Sequence, residues 1–282
     1  MSKLKSKKPA LRGTWAGRTG LTSLTWFLGA LFFFPIFWIT LISFRHEVDA
    51  GTSPPKWTAP FSLENYSEVF KAGAKSFLLN STIASVLSTV VVLMLAYPAA
   101  YALSIKPIYK SKDVLSFFLS TKFLPPIAAL LPLYLILQKL HALDNIIALS
   151  ILYVSMNLPL SVWMLRSFLK EIPKELVEAA ELDGASTPKI LYRVLAPISM
   201  PGIAATALIC FIFTWNEFLL AINVTGFGAA TAPVYLVGFV TAEGLFFAHL
   251  AAVSIAVSLP VVIAGWVAQD KLVRGLSLGA VK

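Results

Sequence analysis

The sequence predicts an all-α, polytopic membrane protein with six transmembrane helices, and three observations support this prediction. Of the 282 residues, 57% are apolar and only 13% are charged, about half the charged share of a typical soluble domain. The mean hydropathy is +0.78. Six nearly uncharged runs are each long enough to cross a bilayer core, which needs about 20 helical residues. A soluble domain of this length requires more charged surface than the chain supplies.

Six spans follow one another along the chain. They cover residues 21–44, 76–105, 114–138, 145–165, 194–216 with an apolar continuation to 224, and 244–269. Prolines occur within these runs, but packed neighbouring helices can satisfy the carbonyl groups that a proline leaves free. The first run is too long for the core of a signal peptide, and no Ala-x-Ala cleavage site follows it. We therefore expect an uncleaved anchor.

The distribution of positive charge predicts that both termini lie in the cytoplasm. Outside the spans, 17 lysines and arginines flank one side and five flank the other, and the positive-inside rule assigns the richer side to the cytoplasm. Residues 1–20 then form a basic tail, residues 21–272 the transmembrane domain and residues 273–282 a C-terminal tail. This topology accounts for the net charge of +9, which therefore does not indicate nucleic-acid binding.

Motifs for catalysis and metal binding are absent from the sequence. The string closest to a nucleotide-binding P-loop, at residues 13–19, is one residue short and has arginine where the motif has lysine. A single cysteine, Cys210, excludes an internal disulfide and a cysteine-based zinc site. The histidines His46, His141 and His249 all fall on the outer side, where we expect solvated or interfacial rings. No Ser–His–Asp set lies at one depth, which argues against a membrane-embedded hydrolase.

The connection between the fourth and fifth spans, within residues 166–200, is charged and predicts two short helices joined by a turn. Pro173 suits the first turn of the first helix, and Gly184 ends that helix. Ser186 is a natural N-cap for the second helix. An apolar stripe at near-helical spacing is formed by Leu176, Val177, Ala180 and Leu182.

A patch of small residues with an acidic border lies at the end of the first of these helices. Its members are Glu178, Ala179, Ala180, Glu181, Asp183, Gly184 and Ala185. Small residues let another backbone approach closely, and carboxylates can pair with cations of a partner protein. An amphipathic loop at the lipid interface is the alternative interpretation. A DNA-binding helix–turn–helix is disfavoured, because its first helix is acidic and the segment is tethered between two spans.

This segment resembles the EAA loop of the permeases of binding-protein-dependent ABC importers. The likeness rests on Glu178-Ala179-Ala180, on Gly184, and on the Val-Leu-Ala-Pro string at 194–197, whose first and third residues depart mildly from the family pattern. The whole chain is similar in order to the second permease subunit of the maltose type. Strings at 34–38, 120–126 and 243–250 resemble the polyol branch, which transports mannitol and sorbitol.

The resemblance implies a cytoplasmic coupling helix that docks on a separate ATPase. Glu178, Ala179, Ala180, Asp183, Gly184 and Ala185 would form the coupling contact, and the C-terminal residues Gly279, Ala280, Val281 and Lys282 would also reach the ATPase. The chain would bind no cofactor, since ATP and Mg²⁺ would belong to the partner. Implied partners are a second permease, a homodimeric ATPase and an extracytoplasmic solute-binding protein, in a bacterial inner membrane.

Polar residues at lipid depth are candidates for the substrate path, because their burial is unfavourable without a partner. Trp215, Asn216 and Glu217 on the fifth span have side chains suited to a hydroxyl-rich solute, although packing against the second permease explains them equally well. The remaining candidates are Lys122 and Asn157, and for Lys122 we favour snorkelling to the cytoplasmic face. By resemblance, the small-residue loop 225–233 probes the binding protein; a plain linker is the alternative.

The sequence therefore predicts a transport subunit rather than an enzyme. The expected function is ATP-driven import of a sugar alcohol or sugar by alternating access. An ion-coupled secondary transporter of a small solute is the main alternative, and a membrane enzyme is disfavoured by the absent catalytic residues.

Overall fold

The computed structural model describes residues 15–52, 56–106, 109–123, 126–241 and 244–280. The helices are α1 (Trp15–Ser43), α2 (Glu47–Ala50), α3 (Glu64–Lys71), α4 (Ala74–Ser104), α5 (Ser111–Phe123), α6 (Pro126–Lys139), α7 (Ile146–Leu169), α8 (Lys174–Leu182), α9 (Thr187–Lys189), α10 (Ala196–Ile198), α11 (Met200–Trp215), α12 (Leu219–Val224), α13 (Ala232–Val237) and α14 (Phe247–Ala280). A π-helical segment, Ile190–Leu195, joins α9 to α10. Between α13 and α14, strands β1 (Val240–Thr241) and β2 (Gly244–Leu245) pair antiparallel.

Four helices are long and apolar enough to cross a bilayer alone: α1 from Thr19, α4, α7, and α14 as far as Gln269. Two further spans result if each of two bent pairs counts as one span, namely α5 with α6, and the α9–α10 segment with α11. The predicted all-α membrane fold is thus confirmed, with four to six candidate spans among the described residues. Prolines do lie inside continuous helices, at Pro35, Pro98, Pro132, Pro159 and Pro260.

The third and fifth predicted spans are not single continuous helices. In the third, α5 ends at Phe123 and α6 begins at Pro126. In the fifth, the chain bends by 83° before α11, and three residues separate the end of α11 at Trp215 from the start of α12 at Leu219. No charged residue lies at the break between α5 and α6 or at the bend before α11, so hydropathy did not locate these two; the break after α11 contains Asn216 and Glu217.

Helices α4 and α7 form the centre of the bundle, and α11 packs against both. At one end, Asn80 of α4 donates hydrogen bonds to the carbonyls of Gly228 and Ala230; we call this the loop end. At the other, Arg166 of α7 donates to the carbonyl of Leu103 at 3.0 Å; we call this the α8 end. Asn80 and Leu103 lie on the same helix, so the two ends are about 35 Å apart at 1.5 Å per residue.

The apolar surface of α1 faces away from the bundle. Trp26, Phe27 and Phe32 are 77%, 65% and 80% exposed, and α1 packs mainly on α14. Patches of this kind are rare on soluble monomers. The surface therefore suits contact with lipid or with another membrane subunit.

Candidate functional site

Helix α8 ends in a glycine turn at the α8 end of the bundle. Gly184 has a φ of 74°, in the left-handed region that favours glycine. The amide of Gly184 donates to the carbonyl of Glu181, and the amide of Ala185 donates to that of Ala180, both at 3.0 Å. These two bonds form a Schellman motif, which satisfies the last carbonyls of the helix. Ser186 precedes α9 as predicted, although its side chain makes no capping bond.

Only a narrow face of α8 packs on the protein. Val177 is 4% exposed and belongs to the main core cluster, and Ala180 and Ala185 pack against that cluster. Leu176 and Leu182, predicted as part of the apolar stripe, are 42% and 90% exposed. In a helix of nine residues, successive side chains turn by about 100°, so those two leucines point away from the face that carries Val177.

The residues of the predicted coupling patch fall into two groups. Glu178, Ala179, Asp183 and Gly184 are exposed, whereas Ala180 and Ala185 are half-buried. A Cβ added at Gly184 would meet no atom within 4 Å. The exposed group therefore presents a small, acidic surface, and the half-buried group attaches it to the bundle.

A salt bridge and a tight helix contact support this segment. Lys106, which follows α4, pairs with Glu181 at 2.7 Å, and the hydrogen bond to that carboxylate raises the pKa of Lys106. At the start of α11, a Cβ added at Gly202 would lie 2.4 Å from Cγ of Phe168 on α7. Tyr97 of α4 also hydrogen-bonds Ser199 at 2.7 Å. The bend that leads into α11 is thus held against both central helices.

Asn157 lies in a buried polar contact between three helices. Its Nδ2 donates to Oγ1 of Thr214 at 3.1 Å and to the carbonyl of Tyr153 at 3.0 Å, and Ser88 donates to the same Thr214 oxygen at 3.3 Å. Asn157 is 1% exposed, and its Oδ1 has no hydrogen-bond partner in the part of the chain that the structure describes. The contact joins α4, α7 and α11, so the side chain packs helices together and does not line an open path.

Trp215, Asn216 and Glu217 point in three different directions. Trp215 is 2% exposed, and its Nε1 donates to the carbonyl of Val257 on α14 at 3.0 Å. Asn216 is exposed, and its Nδ2 donates to the carbonyl of Ile212 in its own helix. The carboxylate of Glu217 accepts from the amides of Leu220 and Ala221 at 2.8 and 3.1 Å. Glu217 therefore satisfies two free amides at the start of α12, where a negative charge is favourable.

Two cavities lie beside the polar candidates. One, of about 380 Å³, is lined by Trp215 and Asn216 together with Ser254 and Ser258 of α14. The other, of about 310 Å³, is lined by Lys122 and by residues of α6, α7 and α12. Lys122 forms no ion pair with any residue in the described ranges. Trp215 and Asn216 therefore line one cavity and Lys122 lines the other, whereas Asn157 and Glu217 line neither of the two.

The C-terminal contact residues lie at the edge of the described chain. Helix α14 continues to Ala280, so the backbone of Gly279 and Ala280 is helical. Val281 and Lys282 lie outside the described residues. At the other terminus, α1 begins at Trp15, inside the predicted basic tail, and residues 1–14 also lie outside the described ranges.

The loop that follows α12 is closely held, a feature that the sequence did not predict. The carboxylate of Asp144 accepts from the amides of Gly226, Gly228 and Ala229 at 2.8, 3.0 and 2.8 Å. Partial desolvation opposes ionisation of Asp144, but these three backbone bonds outweigh it and lower its pKa. The loop carries Phe227, whose side chain is 97% exposed.

His249 makes two side-chain contacts that the sequence did not predict. Its Nδ1 lies 2.6 Å from Glu47 and its Nε2 lies 2.6 Å from Glu68. His46 pairs with Glu64 at 2.9 Å in an exposed position. Within the described residues, no group of His, Cys, Asp and Glu has an arrangement suited to a metal ion.

Comparison with known proteins relates this geometry to a family. Residues 74–273 match the binding-protein-dependent transport system inner membrane component family. A probable ABC transporter permease protein, y4oR of Sinorhizobium fredii, is 35% identical over 93% of this chain and 95% of its own length. The trehalose transport system permease protein SugB of Mycobacterium tuberculosis is 31% identical over 88% of this chain and 92% of its own length.

A solved structure shares the fold. It is that of a bacterial ABC transporter involved in the import of the acidic polysaccharide alginate, one chain of which superposes with a TM-score of 0.77. The match covers 93% of this chain and all of that chain at 22% identity. Since the family match covers most of the sequence and the fold agrees, the chain belongs to the binding-protein-dependent transport system inner membrane components, which are ABC transporter permeases.

Proposed function

We propose that this chain is a permease subunit of an ATP-driven importer that moves a sugar or sugar alcohol across the bacterial cell membrane by alternating access. The observation that supports this best is the position of α8. Its acidic, small-residue surface is exposed, while Val177 on its other face is packed in the main core cluster. A partner that pushes on α8 would therefore move the core directly.

The exposed residues Glu178, Ala179, Asp183 and Gly184 would contact an ABC ATPase, and the half-buried Ala180 and Ala185 would transmit its movement. The nearby bend of 83° before α11 and the π-helical segment that precedes it are irregular points, where helices can change angle. ATP and Mg²⁺ would be bound by a homodimeric partner, and this chain would bind no cofactor. Its own contribution is a change between inward-open and outward-open states.

The coupling role fixes the orientation in the membrane. If an ATPase contacts α8, the α8 end lies in the cytoplasm and the loop end lies outside, where the solute-binding protein would dock. Both termini are then cytoplasmic, in agreement with the distribution of positive charge. The C-terminal residues 279–282 would reach the ATPase from the end of α14.

A second permease would complete the path for the solute. The 380 Å³ cavity is lined by Asn216, Ser254 and Ser258, whose amide and hydroxyl groups are suitable partners for a hydroxyl-rich solute. SugB, the trehalose relative, supports a sugar, and the polyol-like strings in the sequence support a sugar alcohol. Lipid would surround the rest of the apolar surface.

Membership of an ABC family argues against the alternative of an ion-coupled secondary transporter. Purification of the tagged chain from its native membrane tests both functions. We expect an ABC ATPase and a second permease to copurify. We also expect proteoliposomes with the binding protein to take up labelled sugar or sugar alcohol only when they contain that ATPase and ATP. Uptake driven by an ion gradient without ATP would support the secondary transporter and contradict our proposal.

A further inference from the structure

The imidazole of His249 is held between two carboxylates. Nδ1 lies 2.6 Å from Oε2 of Glu47 and Nε2 lies 2.6 Å from Oε2 of Glu68. A neutral imidazole has one N–H, and a carboxylate oxygen only accepts. Both contacts therefore form together only when the cluster holds two protons, as it does with an imidazolium between two carboxylates. Short distances of this kind are typical of charge-assisted hydrogen bonds.

The two carboxylates are not equivalent. Glu47 also accepts from the amide of Ala248 at 3.1 and 3.2 Å and from the amide of His249 at 3.1 Å. It thereby satisfies the first amides of α14, where the helix dipole favours negative charge. The carboxylate of Glu68 has no hydrogen bond among the described residues other than the one to His249. Loss of one of the two protons would therefore keep the bond between His249 and Glu47 and break the bond between His249 and Glu68.

The cluster joins the first outer connection to α14. Glu47 lies on α2, Glu68 on α3 and His249 in the first turn of α14. The rings of Phe239 and Phe246 contact the imidazole from the remaining sides, at centroid distances of 6.3 and 6.2 Å. No other charged group among the described residues contacts the imidazole. The neighbouring charges have their own partners, since Asp49 pairs with Lys56, His46 with Glu64, and Arg45 with the carbonyl of Trp57.

We propose that Glu47, His249 and Glu68 form a proton-dependent latch that fixes α3 on the loop end of α14. With both protons bound, the imidazolium holds both helices. With one proton lost, α3 keeps its packing, its neutral hydrogen bonds and the pair of Glu64 with His46, but not its contact with α14 through Glu68. The proposal rests on the proposed function only for placing the latch outside the cell, where the pH follows that of the surroundings. Because α14 runs from this latch to the α8 end, the latch would set how freely that helix moves during transport.

Hydrogen exchange tests the latch independently of transport. The full-length protein is placed in lipid nanodiscs, and the protection factors of α3 amides are measured from about pH 6 to pH 9, corrected for the intrinsic exchange rate at each pH. For the wild type we expect exchange in α3 to become about tenfold faster as the proton leaves, the factor that corresponds to one charge-assisted hydrogen bond.

Three variants distinguish the latch from a general effect of pH. Glu68→Ala should exchange at the fast rate at every pH. Glu68→Gln should remain protected at every pH, because its amide can donate to the lone pair of a neutral His249. Glu64→Gln removes a carboxylate from the same helix but not from the cluster, and should keep the pH dependence of the wild type.

Two results would overturn the proposal: equal protection of α3 in the wild type and Glu68→Ala at all pH values, or a wild-type pH dependence in Glu68→Gln. Neither measurement depends on ATP or solute. Failure of an ATPase to copurify would therefore refute the proposed function without bearing on the latch.

Discussion

The carboxylate of Asp144 holds the backbone of Gly226, which lies 82 residues further along the chain, at 2.8 Å. The same side chain binds the amides of Gly228 and Ala229, and the amide of Asp144 donates to the carbonyl of Val224. A Cβ at Gly228 would lie 3.0 Å from Oδ2 of Asp144, so this position favours glycine. The loop that presents Phe227 is therefore shaped by a residue from a different connection.

Replacement of Asp144 by asparagine should loosen this loop. The change removes the negative acceptor from three amides, and we expect the free energy of unfolding to fall by about 1 kcal/mol at an exposed site of this kind. The pKa of Asp144 is lowered in the folded protein, so its stabilisation is full above the ordinary value of about 3.9 and is lost as the pH falls through the lower folded value. The loss of unfolding free energy in Asp144→Asn should therefore be equal at pH 6 and pH 8, as measured by thermal unfolding. Glu171→Gln is the control, and an equal loss in that variant would contradict the role of Asp144.

Replacement of Gly184 by tryptophan should abolish uptake and prevent assembly with the ATPase. The space around Gly184 is open, so the bulky side chain would block a docking partner without disturbing the fold of this chain. Gly184→Ala is the matched control, because it has the same strain at positive φ, about 1 kcal/mol, without the bulk. For both variants, assembly is measured by copurification of the ATPase, and transport is measured as ATP-dependent uptake. Normal uptake by Gly184→Trp would exclude the docking role of α8.

Asn216→Ala and Glu217→Gln should have different effects. Asn216 lines the 380 Å³ cavity, so its loss should raise the solute concentration needed for half-maximal uptake. Glu217 caps α12 through two amides, so Glu217→Gln should lower thermal stability by about 0.5–1 kcal/mol with little change in that concentration. Solute titrations of uptake and thermal unfolding separate the two effects. If the solute dependence changed only for Glu217→Gln, Glu217 and not Asn216 would be the residue that contacts the solute.

Gly202→Ala should destabilise the bend that precedes α11. Its Cβ would lie 2.4 Å from Cγ of Phe168, and overpacking of this kind lowers the free energy of unfolding by about 1–3 kcal/mol. A second change, Phe168→Ala, should recover part of that loss, and the double-mutant cycle measures the coupling between the two sites. Gly29→Ala, where no atom lies within 4 Å, is the control. Additive effects of the two changes would show that the contact is not tight.

Features set by neighbouring residues were predictable from the sequence. Long apolar runs gave the all-α membrane class, because a helix satisfies its backbone polar groups internally in lipid. Pro173, Gly184 and Ser186 correctly predicted where α8 begins and ends and where α9 begins, since caps and turns are decided within a few residues. The breaks in the third and fifth spans were missed, because hydropathy does not record the angle between successive helices.

The roles of the polar side chains depended on contacts between distant parts of the chain. Trp215, Asn216 and Glu217 are consecutive, yet the bundle turns them to α14, to the surface and to α12. His249 meets Glu47 at a separation of 202 residues, a relation that no local pattern encodes. From the residues alone, the chain could be recognised as a helical membrane protein with a short acidic helix between two spans. Which polar groups meet depends on the packing of the helices, because a buried charge is stabilised by whichever partner the packed helices bring within hydrogen-bonding distance.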